Sequence, residues 1–175
     1  MNQNFPVDAA GWGQKSNISG STLNVLLSVP LKIPSSKVCS SLKPTWESND
    51  GNLICVPISN GKVTCFGDSD GSLAYPGTSP MSVVGLTSFG ISDSKLGEKY
   101  VCGSSNGATY YKHVINYIDW IVSSAKLNVD DLVYNGPAFN GSAVSHAIRS
   151  AKPLFTGIYN PLSGLITILW LLLVF

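Results

Sequence analysis

Cys65-Phe66-Gly67-Asp68-Ser69-Asp70-Gly71-Ser72-Leu73 is the stretch on which the reading of this chain turns. A serine set between glycines and acids is, taken alone, a surface turn. Its setting lifts it above that. Gly11-Trp12-Gly13 lies upstream and Ser88-Phe89-Gly90 downstream, and the segment from Tyr111 to Ile121 ends in Asp119-Trp120-Ile121.

Outward from that stretch, residues 12 to about 110 read as short strands broken by turns. Leu23, Val25, Leu27 and Val29 alternate with Asn24, Leu26 and Ser28, a partial period of two. Leu53–Ile58 and Met81–Phe89 are further short apolar runs. Asn49-Asp50-Gly51, Ser59-Asn60-Gly61 and Tyr75-Pro76-Gly77 carry turn chemistry between them. Short strands at such spacing predict an all-β barrel or sandwich. Then the period changes. Val114, Tyr117, Ile118 and Ile121 fall on one helical face, with Asn116, Asp119 and Ser123 off it, so one amphipathic helix closes the domain.

Composition bounds the function. The chain has 175 residues, enough for about one domain. Hydrophobic residues at 44% provide for a core and exclude wholesale disorder. A net charge of +1 without a Lys/Arg block excludes a nucleic-acid partner, which needs a basic footprint. The four cysteines form no CxxC, so metal ribbons and thioredoxin motifs are unsupported, and neither a metal nor another cofactor is expected. An even count at wide spacing suits two disulfides in an oxidising compartment.

Taken together, the blocks from residue 8 to residue 124 resemble the C-terminal half of a trypsin/chymotrypsin-like serine endopeptidase. The resemblance implies a six-stranded antiparallel barrel of the two-barrel chymotrypsin-like fold, closed by a C-terminal helix. It implies that Ser69 is the nucleophile, and that the amides of Gly67 and Ser69 form an oxyanion hole. A side chain at 67 would obstruct that backbone. Asp68 matches the acid that pairs with a newly cut N-terminal ammonium. Cys39 with Cys55, and Cys65 with Cys102, match two family disulfides. Ser88, Phe89 and Gly90 match the segment that pairs with a peptide or protein substrate like an added strand.

The same alignment puts Val63 at the base of the primary pocket, with Thr64 beside it and Gly90 and Thr109 on the walls. An uncharged base cannot compensate a buried substrate Lys or Arg. Thr109 shortens the pocket, so the expectation is cleavage after small or medium apolar side chains. The eleven residues Ile91–Val101 form a longer loop than many members carry and are expected to shape substrate access.

The residue after the nucleophile, usually glycine, is Asp70, and a usual proline is Ser72. Asp tolerates left-handed backbone better than most residues. Its charge opposes the developing oxyanion by on the order of 3 kcal/mol at about 5 Å and an effective dielectric of about 20, before screening, or about a hundredfold in rate. The family triad runs His, Asp, Ser along the chain. Here the histidines are His113, which opens the final helix at a variable family position, and His146 in the stalk; neither matches the general base. Asp8 lies too close to Gly11-Trp12-Gly13 to match the buried triad acid. Loss of the histidine costs about a million-fold in a related chemistry. The expectation is a fragment that lacks its N-terminal barrel and is inactive alone.

The domain reading is a truncated lead-in over 1–10, the barrel over 11–124, a stalk over 125–161 and a hydrophobic tail over 162–175. No secretory signal opens the chain. Leu165–Phe175 is almost wholly aliphatic and spans about 16 Å as a helix, against a bilayer core of about 30 Å. It fits a glycolipid-anchor signal, with attachment near Asn140-Gly141-Ser142-Ala143 or Ser145, a transmembrane helix, or a buried helix. Asn17-Ile18-Ser19 and Asn140-Gly141-Ser142 are glycosylation triplets that fit an extracellular, secreted or surface-anchored chain. Three functions compete: a serine endopeptidase acting through Ser69, a non-catalytic protease homologue that binds through the same groove, and a surface-anchored structural β domain.

Overall fold

A computed structural model describes residues 4–16, 20–34, 37–92 and 100–133. The expected tail, His146, both glycosylation triplets and the stalk from 134 onward lie outside the described residues. The strands are β1 (Phe5–Gly11), β2 (Leu27–Ile33), β3 (Leu53–Pro57), β4 (Ser72–Tyr75), β5 (Ser82–Ser92) and β6 (Gly107–His113). The helices are α1 (Lys37–Leu42), α2 (Ile118–Ala125), which follows a 3-10 turn at Val114–Tyr117, and α3 (Val129–Leu132).

All six strands join one antiparallel sheet in the order β2-β1-β4-β5-β6-β3. The two outer strands, β2 and β3, lie against each other, so the sheet curls round its own core. This corrects the expected barrel in one respect. Strand number and direction agree, but among the described residues no ladder joins β2 to β3, and the structure is a curled half-barrel.

The core inside the curl is Phe5, Val7, Ile33, Ile54, Leu73, Val84 and Tyr111, with their neighbours. A second cluster of Cys39, Trp46, Cys55, Ala108 and Tyr110 sits under α1. The Cys39–Cys55 disulfide ties α1 to β3. Asn49 fixes the same corner, its side-chain carbonyl accepting from the Cys55 amide at 2.7 Å.

The residues expected as a lead-in are instead β1. Phe5, Val7 and Ala9 are buried in alternation. Pro6, Asp8 and two alanines are poor strand formers and hide that period in the sequence. Pro6 is tolerated because β4 pairs only with Asp8 and Ala9. The alternation expected from Leu23 also shortens. β2 opens at Leu27, paired with Gly11, the last residue of β1, and Val25 and Leu26 are exposed.

Turn chemistry reads more directly. Asn60 (φ 53°) and Gly61 (φ 70°) are both left-handed, and the Lys62 amide donates to the Ser59 carbonyl at 3.0 Å, a primed hairpin turn. In the closing helical segment Val114, Tyr117, Ile118 and Ile121 are half-buried, while Asn116, Asp119 and Ser123 are exposed. Its first turn is 3-10 rather than α. Two residues of the expected stalk, Leu132 and Val133, are buried at the end of α3, whose Asn128 cap accepts from the Asp130 amide at 3.0 Å.

Candidate active site

Two linked turns carry Ser69 between the end of the Val63–Cys65 segment and β4. The Asp68 amide donates to the Cys65 carbonyl at 3.1 Å, and the Gly71 amide donates to the Asp68 carbonyl at 2.9 Å. Ser69 stands second in the latter turn, exposed to solvent. Asp70 follows with φ 63°, the left-handed conformation that usually calls for glycine.

β5 anchors the elbow. The Asp70 amide donates to the Thr87 carbonyl, the Thr87 amide donates to the Gly71 carbonyl, and Thr87 Oγ1 donates to that same carbonyl at 3.1 Å. Thr87 is a positioning residue that no local motif reveals. Gly71 packs on β1 so closely that an added Cβ would sit 2.5 Å from the Ala10 carbonyl oxygen.

These bonds use the amides of Asp68, Asp70 and Gly71. Among the described residues the amides of Gly67 and Ser69 donate to no protein acceptor. Gly67 holds φ +91°, and a Cβ there would stand 2.9 Å from Thr22 Cγ2. The backbone therefore leaves two unpaired donors flanking an exposed hydroxyl. That arrangement can stabilise a developing oxyanion.

Asp68 explains why glycine stands at both 11 and 13. Its Oδ1 accepts from the Gly13 amide at 2.6 Å and its Oδ2 from the Cys65 amide at 2.8 Å. A Cβ at Gly11 or Gly13 would collide with that carboxylate. The Gln14 amide also donates to the Phe66 carbonyl at 2.8 Å. The Gly11-Trp12-Gly13 block and the Ser69 elbow are thus one structural unit.

The Cys65–Cys102 disulfide (Cα–Cα 5.5 Å) clips this unit to the segment before β6. Beside it, Gly90 of β5 and Thr109 of β6 are register partners. Thr109 and Thr64 are buried and Val63 is half-buried. Ser88 is the extra residue of a bulge, since Thr87 pairs with Tyr111 and Phe89 with Tyr110. Phe89 stacks on Tyr110 at 4.9 Å, with Lys43 Nζ 5.6 Å from its ring centre. β4 pairs with β5 only from Ser82 to Leu86. Among the described residues no strand covers the other edge of Ser88–Gly90, which leaves it open to an added strand.

His113 is not part of this constellation. Its Nδ1 lies 3.1 Å from the Gly51 carbonyl and its amide donates to the Asn52 carbonyl, so the ring pins the Asn49–Gly51 turn to β6. Burial pushes its pKa down from the usual value. Burial likewise pushes the Asp70 carboxyl up. Among the described residues nothing hydrogen-bonds to Ser69 Oγ, and no group of His, Cys, Asp and Glu could hold a metal ion.

The family model described as trypsin matches residues 2–121. The chain belongs to the trypsin family. This trypsin-family chain is 38% identical over 116 residues to Serine protease 1 of Drosophila melanogaster, covering 65% of the chain and 37% of that relative. It is 29% identical over 120 residues to trypsin of Sus scrofa, covering 68% of the chain and 46% of that protein. The solved structure of neuropsin, a serine protease expressed in the limbic system of mouse brain, superimposes with a TM-score of 0.57 at 26% identity, over 71% of this chain and 49% of that one. The chain thus spans less than half the length of these relatives.

Proposed function

We propose that this chain supplies the nucleophile half of a serine endopeptidase. The observation that carries this reading is the pair of unpaired amides at Gly67 and Ser69, set beside an exposed hydroxyl in a trypsin-family elbow. A peptide chain adds along the open edge of Ser88–Gly90. The side chain preceding its scissile bond enters the space bounded by Val63, Thr64, Gly90 and Thr109. Ser69 Oγ attacks the scissile carbonyl, whose oxygen moves into reach of both amides. The amine leaves, and water releases the acyl group from Ser69. The general base that takes the Ser69 proton comes from a region its relatives carry outside the matched share. That region is the N-terminal barrel, the first partner of this chain. Two disulfides suit an oxidising compartment, so the site of action is secreted or at the cell surface.

A small fluorophosphonate tests the reading on the full-length protein expressed from its own transcript. Ser69 is the expected adduct, located by peptide mass mapping, and the Ser69→Ala variant takes none. An unlabelled Ser69 in folded full-length protein overturns the enzyme reading. It leaves the second one, a non-catalytic homologue that binds peptides in the same groove. Asp70 favours that alternative, because its carboxylate stands directly after the hydroxyl.

A further inference from the structure

We infer that Tyr100 determines the specificity of the primary pocket by occupying it with its own ring. The inference rests on the reading of Val63, Thr64, Gly90 and Thr109 as that pocket, and it names what such a pocket admits. Three contacts fix the ring. A Cβ added to Gly90 would fall into the Tyr100 ring, so the ring lies directly against the glycine wall. The Tyr100 hydroxyl crosses to the opposite wall and donates to the Thr64 carbonyl at 3.1 Å. The Phe66 ring meets it edge-on, with centroids 6.1 Å apart. The ring therefore bridges the β5 wall and the segment that leads into Ser69.

The floor beneath has unmet hydrogen-bonding capacity. Thr64 Oγ1, Thr109 Oγ1 and Tyr111 OH are buried without a hydrogen-bond partner. The Tyr111 hydroxyl lies near both threonines and near Tyr100 without reaching hydrogen-bond geometry. Buried hydroxyls left unpaired cost free energy that a suitable guest recovers. Burial raises the pKa of the Tyr100 phenol itself, so the ring sits there as the neutral phenol. The pocket is thus built for a neutral phenol-sized group with a hydrogen-bonding tip, and Tyr100 already supplies one. With the ring in place the protein takes only substrates whose side chain at the cleaved position is small, such as glycine, alanine or serine. With the ring removed, the space accepts an aromatic side chain.

The probe is 4-fluorophenol, followed by fluorine NMR on the full chain. Tyr100→Gly opens a ring-sized cavity of the kind that takes up small aromatic molecules. It should bind the probe at least about tenfold more tightly than wild type, and more tightly than it binds fluorobenzene, which cannot meet the floor hydroxyls. Tyr100→Phe keeps the ring and should bind like wild type. Equal binding by wild type and Tyr100→Gly, or binding by neither, overturns the inference. Should Tyr100→Gly fail to fold, wild-type nuclear Overhauser contacts decide. Cross-peaks from the Tyr100 ring to the Gly90 α-protons support the occupied pocket, and their absence refutes it. The outcome separates from that of the endopeptidase reading. Probe binding needs no reactive Ser69, and labelling of Ser69 by a small fluorophosphonate needs no deep pocket.

Discussion

Asp68 is held from two directions, and that makes it the sharpest point at which to strain the structure. Its carboxylate accepts from the Gly13 amide at 2.6 Å and the Cys65 amide at 2.8 Å. Hydrogen bonds to a charged group contribute about 1.5–3 kcal/mol each; Asp68 is half-buried, so the lower figure applies and Asp68→Ala is expected to cost about 3 kcal/mol. Gly13→Ala attacks the same joint from the other side. Its methyl group would collide with the Asp68 carboxylate, and overpacking of this kind costs about 1–3 kcal/mol. The two costs share one cause and therefore do not add. With the carboxylate gone the methyl group meets empty space, and its cost should fall below about 1 kcal/mol. The coupling is then about 1–2 kcal/mol, well above the roughly 0.3–0.5 kcal/mol scatter of independent sites. Urea unfolding of the wild-type full chain, the two single variants and the double variant, followed by tryptophan fluorescence, measures it. Costs that add within that scatter would mean that Asp68 does not fill the space over Gly13, and the account of the elbow would fall.

Closing a loop of 37 residues, the Cys65–Cys102 bridge should stabilise by about 4 kcal/mol, and Cys39–Cys55, closing 16, by about 3 kcal/mol on chain entropy. Serine replacement of the first pair should also abolish Ser69 labelling, whereas replacement of the second should spare it; equal labelling in both variants would refute the clip. Asp70→Gly relieves a left-handed aspartate and removes an anion beside the hydroxyl. It should raise the Ser69 labelling rate toward about a hundredfold, and an unchanged rate would place the carboxylate in solvent. Burial lowers the His113 pKa from 6.5. The unfolded chain therefore takes up a proton as pH falls through that value while the folded one resists. Stability is complete above pH 6.5 and declines below it, until the folded imidazole itself protonates. Urea midpoints of wild type and His113→Gln between about pH 7.5 and 5 read this out. A wild-type curve no steeper than that of His113→Gln on the acid side would contradict it.

What the residues reveal in advance depends on how local the cause is. The Ser59-Asn60-Gly61 turn is legible because Asn and Gly report their own left-handed backbone. The closing helix is legible because four apolar residues at helical spacing need only one surface to cover. β1 is not, because Pro6, Asp8 and two alanines suppress a period that Phe5, Val7 and Ala9 keep; its strand character comes from β2 and β4 on either side. The Ser69 elbow stands between these cases. Gly67, Asp68 and Ser69 are readable as a family motif, yet the reason for glycine at 11 and 13 is a carboxylate 55 residues downstream of Gly13. Tyr100 lies at the far end of that scale. A tyrosine directly after a lysine and two residues before a cysteine carries no local signal. Its position is set by three groups distant in sequence: a glycine that leaves room, a carbonyl that accepts, and a phenylalanine that meets the ring. Thr109 sets the expected depth of the proposed pocket from the sequence, whereas the ring that lies against Gly90 belongs to a residue that the motif does not contain. Within a shared elbow, specificity is therefore the property least recoverable from motif residues, because the selecting atoms belong to segments that the chemistry does not constrain.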